Sequence, residues 1–275
     1  MAATMLVNGS AEGIISPLDR GLAYGDGLFE SVRFIGTKAP LWQRHIQRLD
    51  ESCRRLHIPA PDAAQLWEEA ISVSRDLTHA VVRITLTRGV GERGYAPPVS
   101  PSVTRIVAAF AAPVVPAEIY AEGVRIRVCE MRLAQQPLLA GIKHLNRLEQ
   151  VLARAEWSDP AIAEGLLCAS DGRVVCATMA NLFAVIDGAL LTPSVDRCGV
   201  AGVARAEVLQ AFPQTHISDI PLDVLRGAKE IFLSSSVRGI VPVSLLGDRV
   251  YAPGTITRKV QQHWHTLGFS MEQAG

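Results

Sequence analysis

Three dipeptides, Asn8-Gly9, Asp171-Gly172 and Asp187-Gly188, constrain this chain more than any other feature, because each lies beside short runs rich in Val, Ile and Leu. Glycine lacks a Cβ, and Asn and Asp tolerate a positive φ, so these pairs suit the tight turns of β-hairpins. The spacing predicts a strand over 4–9 entering the first turn. It predicts hairpins of 166–169 with 174–176 and of 182–186 with 189–191. Further strands are expected over 80–87, 103–112, 124–129 and 231–233. Between them the apolar period changes to three and four. Ile46, Leu49, Cys53 and Leu56 mark a helix over Trp42–Ile58, which Pro59 stops. Helices are also expected over 62–75, 203–212 and 257–267, and over 145–157 with Leu145, Leu148, Val151 and Leu152 on one face. Strands and helices mix without strict alternation, which predicts an α+β or mixed-sheet α/β architecture. Pro113-Val-Val-Pro116 interrupts the pattern. It is expected to link two domains, 1–112 and 117–275.

Composition excludes several classes. Hydrophobic residues make up 48% of the 275, enough for a sizeable core. No run approaches the ~18 apolar residues of a membrane span. The opening residues are too polar for a signal peptide, so a cytoplasmic protein is expected. Lys plus Arg equal Asp plus Glu at 27 each; a general nucleic-acid binder would carry a basic excess. The five cysteines form no C-x-x-C pair and read as reduced thiols, not a disulfide frame or zinc site. No metal site is expected.

Five polar clusters invite a chemical reading. In Gly141-Ile-Lys143-His144-Leu-Asn146-Arg147, Lys143 stands at the mouth of the expected 145–157 helix. A lysine among apolar neighbours gives up its proton more readily and becomes a competent nucleophile and base; the alternative is a surface lysine on a helix end. Gly199-Val-Ala-Gly202 opens another expected helix, whose free N–H groups would cradle an anion or belong to an ordinary loop. Ser234-Ser235-Ser236 ends a strand and could add hydroxyls to that anion. Arg48, one turn after His45, offers a planar fork suited to phosphate, or lies on a solvated face. Arg88-Gly-Val-Gly-Glu-Arg93-Gly-Tyr95 is a glycine-rich loop that could close over a carboxylate.

Taken together, the chain resembles the fold-type IV pyridoxal-phosphate enzymes, the family of branched-chain and D-amino-acid aminotransferases. Within that family it is most similar to the 4-amino-4-deoxychorismate lyase branch of folate biosynthesis. The residues carrying the resemblance are Asp19-Arg-Gly-Leu-Ala-Tyr-Gly-Asp-Gly-Leu-Phe-Glu30, His45-Ile-Gln-Arg-Leu49, Thr87-Arg-Gly89 with Arg93-Gly-Tyr95, and Leu138-Leu-Ala-Gly-Ile-Lys-His-Leu-Asn-Arg-Leu-Glu-Gln-Val-Leu-Ala153. The resemblance implies two α/β domains with pyridoxal 5'-phosphate in the cleft between them, and a homodimer. It implies that Lys143 holds the cofactor as a Schiff base and that Arg48 grips its phosphate. The N–H groups of Val203 and Ala204 and the Ser236 hydroxyl would complete the phosphate cup. Asn181 would lie near the cofactor ring. Arg93 and Tyr95 would meet the substrate carboxylate. The implied reaction converts 4-amino-4-deoxychorismate into 4-aminobenzoate and pyruvate. An aminotransferase of the same fold is the alternative.

The chain departs from the family at one position. Relatives carry a glutamate five residues before the asparagine, where it keeps the pyridine nitrogen protonated; here that position is Cys176. Two readings follow: a drifted, catalytically silent binding protein, or an enzyme whose ring is a weaker electron sink. The second has a rationale. Elimination with an aromatic product needs less help from the ring than amino transfer does.

Overall fold

A computed structural model describes residues 4–269. The chain divides into two compact units, Met1–Ala112 with Ile142–Asn146, and Pro113–Gly141 with Arg147–Gly275.

The first unit contains β1 (Thr4–Val7), α1 (Arg20–Tyr24), β2 (Gly27–Ile35), α2 (Trp42–Leu56), α3 (Ala63–Ser74), β3 (His79–Thr87) and β4 (Thr104–Ala111). Its antiparallel sheet has the order β1-β4-β3-β2. Asn8 and Gly9 both take positive φ after β1, as the turn signal requires. Asp62 caps α3 by accepting from the N–H groups of Ala64 and Gln65. The apolar side of α2 joins Phe34, Val82, Ile84 and Leu86 of the sheet in one core.

The second unit contains α4 (Ala117–Glu122), β5 (Val124–Leu133), α5 (Leu148–Arg154), β6 (Ile162–Ala169), β7 (Arg173–Ala177), β8 (Asn181–Ile186), β9 (Ala189–Pro193), α6 (Val203–Ala211), β10 (His216–Ser218), β11 (Ile220–Pro221), α7 (Leu222–Arg226), β12 (Glu230–Ser235), β13 (Gly239–Leu246), β14 (Arg249–Val250) and α8 (Thr255–Thr266). Its sheet runs β10-β9-β8-β12-β13-β5-β6-β7-β11, with β14 beside β13. The β13–β5, β5–β6 and β10–β9 pairs are parallel and the others antiparallel. The sheet is therefore mixed. Asp187-Gly188 turns with both residues at positive φ, whereas at Asp171-Gly172 only the glycine does so.

One expectation, the start of the 145–157 helix, is corrected here. Residues 142–146, read from sequence as the entry to a helix in the C-terminal half, cluster with the first unit. They pair with β2 instead: the Phe29 N–H donates to the Lys143 carbonyl at 3.0 Å and the Leu145 N–H to Gly27 at 2.9 Å, and Ile142 is buried in the first unit's core. The helix consequently begins at Leu148. Its apolar stripe, Leu148, Val151 and Leu152, stays exposed. Pro113–Pro116 belongs to the second unit. Among the described residues no helix is long and apolar enough to cross a membrane.

Candidate active site

The residues singled out from sequence fall into two groups, one on each unit. On the first, β2 is rich in aromatic and β-branched residues and is buried along nearly its whole length. A carboxylate, Glu30, therefore sits where apolar side chains prevail. α2 supplies its partners from successive turns. His45 Nδ1 lies 2.6 Å from Glu30 Oε2. Arg48 donates from Nε to Oε1 at 2.8 Å and from Nη2 to Oε2, a two-pronged pair. Burial pushes the Glu30 pKa up, but the Arg48 charge and the His45 hydrogen bond outweigh it and hold the carboxyl at about 2. Burial draws the His45 pKa down, and the Arg48 and Lys143 charges add to this, against the pull of Glu30. A neutral imidazole donating from Nδ1–H to an ionised Glu30 satisfies both. Lys143, fixed by the backbone pairing of its segment with β2, holds Nζ 4.1 Å from the centre of the Phe29 ring. Lys143 thus stands on an extended segment rather than at a helix mouth. Arg93 and Tyr95 are both exposed, and the Tyr95 ring lies 5.4 Å from that of Tyr24.

On the second unit the glycine loop leads into α6. Gly199 has φ +87°, a conformation that favours glycine. The loop is pinned to Gly141, which donates to Gly199 and accepts from Ala201, each at 3.0 Å. Asn181 uses both ends of its amide on the same loop: Oδ1 accepts from Gly202 N–H at 3.1 Å, and Nδ2 donates to the Val200 carbonyl at 2.9 Å. Among the described residues no side chain caps the start of α6 at Gly202. Its first residues, Val203 and Ala204, are buried. In the β8–β12 register Ser234 stands opposite Asn181. Its hydroxyl is buried without a hydrogen-bond partner among the described residues. Ser236 follows in the turn after β12, where Ser235 Oγ accepts from the Arg238 N–H. An uncapped, buried helix start beside an orphaned hydroxyl is a donor set suited to a phosphate dianion. A Cβ at Gly202 would stand 2.0 Å from Asn181 Oδ1. Gly202→Ala is expected to cost about 1–3 kcal/mol through overpacking and to weaken phosphate binding, as urea unfolding with and without pyridoxal phosphate would measure. Unchanged midpoints in both conditions would refute it.

Cys176 lies buried on β7 with Cys129, Leu133, Trp157 and Cys198. Burial, reinforced by Cys198, pushes its thiol up to about 12, so it is a neutral group. Sequence reasoning did not single out Glu30, whose signal was a carboxylate inside an aromatic and β-branched run. Of the three serines it chose Ser236, whereas the buried hydroxyl facing Asn181 belongs to Ser234.

The profile of amino-transferase class IV proteins matches residues 27–246. The chain belongs to this family. It is 34% identical to the aminodeoxychorismate lyase of Vibrio harveyi, over 94% of this chain and 99% of that one. It is 46% identical to the crystal structure of the Pseudomonas aeruginosa 4-amino-4-deoxychorismate lyase, with a TM-score of 0.90 and coverage of 95% and 98%. A putative branched-chain-amino-acid aminotransferase of Methanocaldococcus jannaschii is 32% identical over 92% of this chain and 91% of that one.

Proposed function

We propose that this chain is a pyridoxal-phosphate enzyme that converts 4-amino-4-deoxychorismate into 4-aminobenzoate and pyruvate. The observation that carries the reading is the near-complete overlap, at 46% identity, with a solved lyase of that name. The half-buried Lys143 and Arg48 and the α6 cradle support it. Lys143 would hold the cofactor covalently, and Arg48, the Val203 and Ala204 N–H groups and Ser236 would hold its phosphate, with Ser234 a further donor. Asn181 shapes the loop of that cradle. When bound, pyridoxal phosphate supplies an electron sink for the pair released as the substrate C–H bond breaks. Lys143 Nζ takes the proton from the carbon that carries the amine, and returns one to the departing enolpyruvyl group, which leaves as pyruvate. Glu30 keeps the Arg48 fork oriented, and His45, neutral, keeps Glu30 in place. Arg93 and Tyr95 meet a substrate carboxylate. The exposed stripe of Leu148, Val151 and Leu152 supports a homodimer.

Cys176 favours elimination over amino transfer, because a neutral thiol does not hold a pyridinium charge. Cys176→Glu is expected to raise the pKa of the bound ring nitrogen by about 1–3 pH units, the effect of a nearby opposite charge, and to bring out slow glutamate-dependent transfer to a 2-oxo acid. The visible absorbance of the bound cofactor against pH reports the first. Identical titrations in wild type and variant would remove residue 176 from the ring. The reaction itself is tested by supplying the substrate and following 4-aminobenzoate. Amino transfer without 4-aminobenzoate would overturn the lyase reading.

A further inference from the structure

Residues 91–97 form an arm without strand or helix that carries Arg93 and Tyr95. Such a segment has no ladder of its own, so its conformation depends on what reaches it from elsewhere. One guanidinium reaches it at three successive carbonyls. Arg20, in the first turn of α1, is 4% exposed. Its Nη1 donates to the carbonyls of Gly94 at 3.0 Å and Ala96 at 3.3 Å, and its Nη2 to that of Tyr95 at 3.2 Å. Nε donates to Asp26 at 2.8 Å. Arg88 grips the same Asp26 from Nε and Nη2, at 2.8 and 3.0 Å, and anchors itself on the carbonyls of Leu56 and His57. Asp26 is therefore a fixed post. Burial raises its pKa, but the two arginines outweigh this and hold it low. The Arg20 guanidinium also lies 5.0 Å from the centre of the Tyr24 ring. Tyr24 Oη accepts from the Gly94 N–H at 3.3 Å. Three consecutive carbonyls thus converge on one planar fork, an arrangement that a single ammonium cannot copy.

We propose that Arg20 is a positioning residue for the substrate. It latches residues 94–96 in the conformation in which Arg93 and Tyr95 receive a carboxylate. The proposal rests on the reading of Arg93 and Tyr95 as carboxylate contacts. Arg20 touches no reacting atom. Its loss acts on the capture of substrate and leaves the proton transfers of Lys143 intact.

The test compares Arg20→Lys and Arg20→Met with wild type and Arg93→Met, all as pyridoxal-phosphate-loaded enzyme. Arg20→Lys retains a cation for Asp26, so it keeps the experiment interpretable if the methionine variant is poorly folded. Amide exchange at 94–96 is expected to accelerate about tenfold or more in both Arg20 variants as local opening becomes easier. KM is expected to rise about tenfold while kcat stays within about twofold, the pattern of lost binding rather than lost chemistry. The visible absorbance of the bound cofactor should not change. Unaltered exchange at 94–96 would overturn the latch. Faster exchange with an unchanged KM would overturn the link to substrate. Arg93→Met then separates the causes. If it raises KM, Arg20 alone was misassigned; if it does not, the carboxylate reading of the arm has failed.

Discussion

Lys143→Ala is expected to abolish 4-aminobenzoate formation while leaving the fold intact. The loss should reach about 10⁴-fold, the upper end of what one general acid–base group contributes, because the same Nζ takes a proton from the substrate and returns one to the leaving group. The fold should survive because the pairing with β2 uses the backbone: the Phe29 N–H donates to the Lys143 carbonyl at 3.0 Å, and an alanine keeps that carbonyl. Removing Nζ also removes a cation 4.1 Å from the Phe29 ring, a contact contributing about 0.5–2 kcal/mol. Three readouts separate the outcomes. Product formation should vanish. Borohydride should fix pyridoxal to the wild type and not to the variant. The melting temperature should move by only a few degrees. If the variant still made 4-aminobenzoate at a rate near wild type, Lys143 would not be the base. A variant that failed to melt cooperatively would instead assign Lys143 a structural part.

The elements legible in the sequence were those whose signals are local. The Asn8-Gly9 and Asp187-Gly188 turns need positive φ, and both residues of each adopt it. Asp62 caps α3 as its place before an apolar run implies. The period of Ile46, Leu49 and Cys53 buries those three residues of α2. What the sequence obscured depends on partners far along the chain. The helical spacing of Leu145 with Leu148 and Val151 is present, yet Leu145 follows the backbone of β2 and the helix starts three residues later. A strand partner more than a hundred residues away leaves no mark on the period of a segment. The same holds for the site. Lys143, Arg48 and the glycine loop were visible as residue types in specific words. That Arg48 pairs with a buried carboxylate on β2, and that Ser234 faces Asn181 with an unmatched hydroxyl, are properties of packing and register. Arg20 was visible only as one letter of a longer word, because its three carbonyl acceptors lie some 75 residues on.

Arg48→Met should destabilise the first unit strongly, and its pH dependence should reveal why. Glu30 is nearly inaccessible and Arg48 is little more exposed. Removing one partner of a buried pair leaves the other charge uncompensated, at a cost of about 3–5 kcal/mol. In the wild type the Glu30 pKa falls from 4.5 to about 2 on folding. A group whose folded pKa is depressed contributes stability that is complete above its unfolded value and disappears as pH falls through the folded one. Glu30 should therefore supply about 3 kcal/mol above pH 4.5, lost between there and about pH 2. In Arg48→Met, burial becomes the dominant influence and raises the Glu30 pKa above its unfolded value. The sign then reverses: the Glu30 contribution should weaken as pH rises past 4.5, with the His45 hydrogen bond and charge opposing. Urea midpoints from pH 2.5 to 7 on cofactor-free protein measure this directly, with Glu30→Gln as the control in which the slope from this group disappears. Parallel slopes in wild type and Arg48→Met would mean that Arg48 does not set the ionisation of Glu30. The same variant should bind pyridoxal phosphate about 10²-fold more weakly, the loss of a charged hydrogen bond of about 2–3 kcal/mol. Weakened binding in Arg48→Met with normal binding in Glu30→Gln would mean that the arginine acts on phosphate by its own charge. Weakened binding in both would mean that the fork must be aimed by Glu30 to act at all.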